Sequence, residues 1–123
     1  MEKTTIFENL KCWQSSKKLL MSVHAVSHTG KLSSQFFLKN HLRRKSIHAM
    51  SLIADGIHKP GMEFISSLQA SNHSIVELKC MITLLADLNF LATEKMHEVV
   101  QQIASETESH TIELIAWLQN SNR

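Results

Sequence analysis

The stretch MEFISSLQASNHSIVELKCMITLLADLN, residues 62–89, decides the fold class. Its apolar residues Ile65, Leu68, Ile75, Leu78, Ile82 and Leu85 recur at steps of 3, 7, 3, 4 and 3. Those steps follow the turn of an α-helix and place one apolar stripe along one face. Strand alternation is absent. Charged and polar residues interrupt the stripe too often for a membrane span, which needs about 18 apolar residues in succession. The stretch is bounded on both sides. Pro60 cannot continue a preceding helix. Asn89 tolerates the left-handed conformation that closes a following one.

The same periodicity extends outward in both directions. Downstream, Met96, Val100, Ile103, Thr107, His110, Leu114 and Trp117 step by 3 or 4. Thr93 before Glu94 suits a cap and first turn. Upstream, Leu38, Leu42, Ser46, Ala49, Ile53 and Ile57 form a third stripe. Leu10, Trp13, Leu20 and His24 form a fourth, with Leu19, Val23 and Val26 beside it. Gly30 and the run from Gly56 to Gly61 separate these segments. Thr5-x-x-Glu8 reads as a capping box for the first, and Ser33 or Ser34 as a cap for the second. Four helices are therefore expected at about 8–29, 34–57, 62–89 and 93–119. Four amphipathic helices with short links cover one another as an all-α, antiparallel up-and-down four-helix bundle, here one domain over residues 1–123.

Composition agrees. The chain has 123 residues, 43% hydrophobic and 20% charged, with only three Gly and one Pro. That is a size and balance for one globular domain. The first ten residues carry no secretory signal pattern. Cys12 and Cys80 are too few and too far apart for a disulfide framework, and two reduced thiols in a cytoplasmic protein are expected. Phe36, Phe37, Ile47 and Met50 cannot all enter the core that Leu38 and Leu42 face. Excess apolar surface on a slim bundle suggests an oligomer.

Charge is uneven. Residues 31–59 hold Lys31, Lys39, Arg43, Arg44, Lys45 and Lys59 against Asp55 alone, a net +5. Residues 93–123 are net −3. Lys39, Arg43, Arg44, Lys45 and Lys59 are the candidate nucleic-acid contacts, since cations spread around a helix suit phosphates. The alternative is a solvated face whose cations pair with glutamates of the fourth helix. No aromatic is interleaved with these cations to stack bases, so sequence-specific readout of single strands is not expected. His24 and His28 are one helical turn apart, and Glu94-x-x-His97 is half of a di-iron motif. Neither is accompanied by further ligands, so no metal and no cofactor are expected. No phosphate loop, nucleophile elbow or inward carboxylate pair appears, and an enzyme is not expected. Trp13 and Trp117 read as packing residues.

Several short stretches resemble a known family in order and spacing. Phe7-Glu8-Asn9-Leu10-Lys11-Cys12-Trp13-Gln14 resembles the Phe-x-x-Leu-x-x-Trp-Gln opening of the four helix bundle protein family. That family includes proteins encoded in intervening sequences of large-subunit ribosomal RNA genes. His41-Leu42-Arg43-Arg44 resembles its Gln-Leu-Arg-Arg stretch, and Ile53-Ala54-Asp55-Gly56 its Ile-Ala-Glu-Gly helix end. Glu63-Phe64 and Ser74-Ile75-Val76-Glu77-Leu78 resemble its third helix. Leu88-Asn89-Phe90-Leu91 is similar to its Leu-Gly-Tyr-Leu break, with Asn89 in the Gly role. The sequence departs from the pattern at His48, Leu52 and Asp55, where the family has Ser, Asn and Glu.

The resemblance implies a four-helix bundle in a homopentameric ring. It gives Trp13, Asp55, Gly56 and Glu77 structural or oligomer roles, with Asp55 available to pair with Arg43 or Arg44 of another helix or subunit. Related bundles include the accessory variability determinants of diversity-generating retroelements, which bind nucleic acid and a reverse transcriptase. The implied partners are thus further copies of this chain, RNA or DNA, and a reverse transcriptase or other ribonucleoprotein protein.

Overall fold

The computed structural model describes residues 7–121, so Thr5 of the expected capping box lies outside the described residues. Four helices form a bundle: α1 (Lys11–Val26), α2 (Phe36–Gly56), α3 (Gly61–Asp87) and α4 (Glu94–Ser121). No strand occurs among the described residues. The helices pack in the cyclic order α1, α2, α3, α4 and back to α1. No described helix is long and apolar enough to cross a membrane.

The stripes form two apolar clusters stacked along the bundle. One gathers Leu19, Val23, Leu42, Ala49, Ile75, Leu78, Ile82 and Val100 from all four helices. The other joins Cys12, Ile53, Phe64 and Leu68, with Trp13, Leu114 and Leu118 against them. Small hydroxyls fill the seams. Ser46 and Thr107 are buried, and each donates to a carbonyl one turn back, to Arg43 O at 2.9 Å and Ile103 O at 2.9 Å. Ser71 Oγ instead reaches across to Ala49 O at 2.8 Å and ties α3 to α2. A buried hydroxyl with a carbonyl partner is tolerated in an apolar core.

The α3–α4 junction follows the sequence reading. Asn89 takes φ 62. The Phe90 amide donates to Leu85 O at 2.9 Å and the Asn89 amide to Ala86 O at 3.0 Å, the paired closure of a left-handed helix end. The Met96 amide donates to Thr93 Oγ1 at 3.2 Å, which caps α4.

Other expectations need correction. Helix α1 ends at Val26, and Phe7–Asn9 and Lys31–Ser34 are separate 3-10 turns. Ser33 and Ser34 do not cap α2; their hydroxyls donate to Gly30 O at 2.8 Å and Lys31 O at 3.1 Å. Trp117 is 63% exposed. The buried stripe of α4 runs through Thr107 and Thr111 to Leu114 and Leu118, and Trp117 falls about 100° away from Leu118. Trp13 does pack, with its ring centroid 5.1 Å from that of Phe7.

The two thiols differ sharply. Burial pushes the Cys12 thiol up to about 11, against a smaller opposing hydrogen bond from Thr111. Cys80 is exposed. Since the thiolate is the nucleophile, a thiol reagent at pH 8 is expected to label only Cys80 in the native protein. Cys12 should react once denaturant is added. Equal labelling of both thiols in the native state would contradict this packing of α1.

Candidate nucleic-acid interface

Folding gathers charge by helix pair. Residues 10–59, which form α1, α2 and their turn, hold Lys11, Lys17, Lys18, Lys31, Lys39, Arg43, Arg44, Lys45 and Lys59 against Asp55. Residues 61–121, which form α3 and α4, hold eight carboxylates against Lys79 and Lys95. Because α1 and α2 are neighbours, and α3 and α4 likewise, one side of the bundle is basic and the opposite side acidic.

The five cations singled out from the sequence do not form one open cluster. Lys39 Nζ donates to Ser33 O at 2.8 Å. Arg43 clamps the buried Ser27 hydroxyl through Nε at 3.1 Å and Nη2 at 2.8 Å. Lys45 pairs with Glu77 on α3. Lys59 pairs with Asp55 at 3.2 Å. Arg44 alone of the five is exposed and has no hydrogen-bond or ion-pair partner among the described residues. The cations that do pair take partners on α2, on α3 or in the link between α1 and α2, not the α4 glutamates of the alternative reading. Those glutamates keep other company, as where Lys79 of α3 meets Glu108 at 2.7 Å.

The structural residues are placed as follows. Asp55 is exposed and bonded to Lys59, so within the chain it does not pair with Arg43 or Arg44. Glu77 is exposed, and the hydrogen bond from Lys45, then the charge of Lys45, holds its carboxyl below the ordinary range. Exposed pairs of this kind add little stability. Gly56 is buried where α2 meets α3; a Cβ there would lie 2.8 Å from Ser67 Cβ and 2.9 Å from Phe64 Cδ1. That close approach explains a glycine at this helix end.

At the α1–α2 edge, His24 and His28 bring their Nε2 atoms to 3.2 Å, and Arg43 Nη2 lies 3.4 Å from His28 Nε2. Partial desolvation, then the His24, Arg43 and Lys39 charges, lower the His28 pKa. Among the described residues no group of three or more His, Cys, Asp or Glu is placed to hold a metal ion. Glu94 Oε2 and His97 Nδ1 stand 3.7 Å apart on α4. His110 faces the seam, its Nδ1 2.7 Å from the buried Ser15 Oγ.

The sequence reading missed Lys17 and Lys18, exposed on α1. Their signal was the lack of any acid within that helix. Leu20, Met21, His24, Arg43 and Ile47 line an open groove between α1 and α2. The basic face is thus cationic at its edges and partly apolar between them.

No curated protein matches the chain. A family model described as 23S rRNA-intervening sequence protein matches residues 8–111, most of its length. With that match and a four-helix bundle beneath it, the chain belongs to the 23S rRNA-intervening sequence protein family.

Proposed function

We propose that this chain is a non-enzymatic, oligomeric bundle that binds RNA or DNA phosphates through its α1–α2 face. The segregation of charge is the observation that carries the reading. Nine cations against one carboxylate on two adjacent helices and the turns beside them create a field that draws a polyanion and repels a basic surface. The paired cations hold their side chains in place and still contribute to that field. Arg44 and Lys17, exposed on neighbouring helices, are the direct phosphate contacts. An accessory subunit of a ribonucleoprotein or reverse-transcriptase complex would present this face to its nucleic acid. The order of cross-helix pairs, Lys45 with Glu77 and Ala49 with Ser71, supports an antiparallel up-and-down arrangement.

The test is binding of a labelled structured RNA to wild type and to Lys17→Glu/Arg44→Glu. Both positions are exposed, so the variant should keep its helical spectrum. Its affinity is expected to fall at least tenfold at low salt, since each reversal replaces an attraction by a repulsion. Equal affinity would sink the α1–α2 assignment.

A second reading rests on the same segregation and on exposed apolar residues of both sides, Met21 and Ile47 on one, Val99, Ile112 and Trp117 on the other. A basic face of one copy can dock on the acidic face of the next. Such head-to-tail contacts close into rings, a pentamer among them. Under this reading the reversal variant loses mass by light scattering, and the wild type binds no RNA.

A further inference from the structure

Helix α2 turns one stripe of planar side chains away from the bundle. Phe37, His41, Arg44 and His48 are spaced at steps of 4, 3 and 4, and all four are exposed. Phe37 is the extreme case at 87%. An exposed phenylalanine on a cationic helix has no packing role in the monomer. Arg44 and His48 also have no hydrogen-bond or ion-pair partner among the described residues. His41, Arg44 and His48, with Lys45, Ile47 and Ser51, line an open hollow of about 450 Å³. Two flanking carboxylates are engaged, Glu77 by Lys45 and Asp55 by Lys59.

We infer that this stripe is a stacking platform for unpaired bases, so that the bound nucleic acid is single-stranded rather than duplex. The inference rests on the polyanion-binding reading above and names the class of ligand that reading leaves open. Phenyl, imidazole and guanidinium planes are the groups on which splayed bases stack. At a rise of 1.5 Å per residue, the four planes stand about 4.5–6 Å apart along the helix. That exceeds the 3.4 Å between stacked bases of one duplex strand. A strand lying along α2 is therefore opened, with side-chain planes taking the places of lost base neighbours. A duplex offers no free base faces to the same stripe. The ligand class is an unpaired RNA or DNA strand; ribose is not distinguished by stacking alone.

Phe37 stands two turns before Arg44 on the same face rather than between the basic residues, and histidine and arginine are themselves stacking planes.

The experiment compares labelled oligo(rU), oligo(dT) and a duplex, each of about 12 nucleotides, by anisotropy with the full chain. The variant Phe37→Leu/His41→Ser/His48→Ser keeps the formal charge and the Arg44 contact and removes three planes. Wild type is expected to bind the unpaired strands about tenfold more tightly than the duplex. The variant is expected to lose about tenfold on the strands and under twofold on the duplex. A 2-aminopurine in the strand should change its emission on binding wild type and not the variant. If oligo(rU) and oligo(dT) differ while both beat the duplex, stacking stands with a sugar contact added. Duplex bound as tightly as strand, or a variant that weakens both alike, overturns the inference while the polyanion reading survives. No binding of any probe overturns both. If light scattering shows that the variant loses subunits, the stripe is a contact between copies and the inference fails. Should the triple variant not fold, Phe37→Leu alone carries the same comparison.

Discussion

Alanine at position 42 is expected to lower the unfolding free energy by about 2–5 kcal/mol, the range for a fully buried leucine that leaves a cavity. Leu42 has no exposed surface and packs in the cluster shared by all four helices. The same substitution at Ile47, on the outer face of the same helix and 46% exposed, should cost about 0.5 kcal/mol or less. Denaturant melts of the two variants decide which side of α2 faces inward, and therefore whether Arg44 and His48 face out. Comparable losses at 42 and 47 would mean that α2 is rotated from the orientation described.

The second large effect is expected at Gly30. Alanine there should destabilise by about 2–6 kcal/mol. Gly30 sits at φ 58 and ψ −158, a region essentially confined to glycine, where another residue costs about 1–3 kcal/mol. An added Cβ would also lie 2.8 Å from Ala92 N and 2.9 Å from Phe90 O. Both are backbone atoms, so relief requires the α3–α4 link to move, and overpacking of this kind costs about 1–3 kcal/mol more. The link cannot move freely, because Phe90 O accepts from the Leu32 amide at 3.0 Å. The residue that ends the first sequence segment thus also locks the turn before α2 onto the far junction. Asn89→Gly, at φ 62, is the control and should be neutral or slightly stabilising. A Gly30→Ala loss below about 1 kcal/mol would show that the two links do not touch.

Periodicity and breakers made the helices legible. The α3 stripe needed no context, because the apolar residues that mark it, Ile65, Leu68, Ile75, Leu78, Ile82 and Leu85, are all buried and its ends carry Pro60 and Asn89. The α4 stripe drifted at Trp117, since the sequence offers apolar residues at both 117 and 118 and only packing selects Leu118. The 3-10 turn at Lys31–Ser34 was hidden because its serines suit a cap equally well. The basic segment was legible as composition and illegible as a site. Nothing in the sequence says that Arg43 reaches back to Ser27 or that Lys45 reaches across to Glu77. Those partners lie 16 and 32 residues away, beyond any local pattern. What folding added was the division into a basic and an acidic side.

That division makes the salt dependence of RNA affinity the most direct test. The measurement is the dissociation constant of wild type for a labelled RNA with unpaired loops, across a series of salt concentrations. If about three to five cations of the α1–α2 face displace counterions, the logarithm of affinity should fall with the logarithm of salt at a slope of about −2 to −4. A flat dependence, or no binding at the lowest salt, would contradict the account and leave the charged faces to contacts between copies.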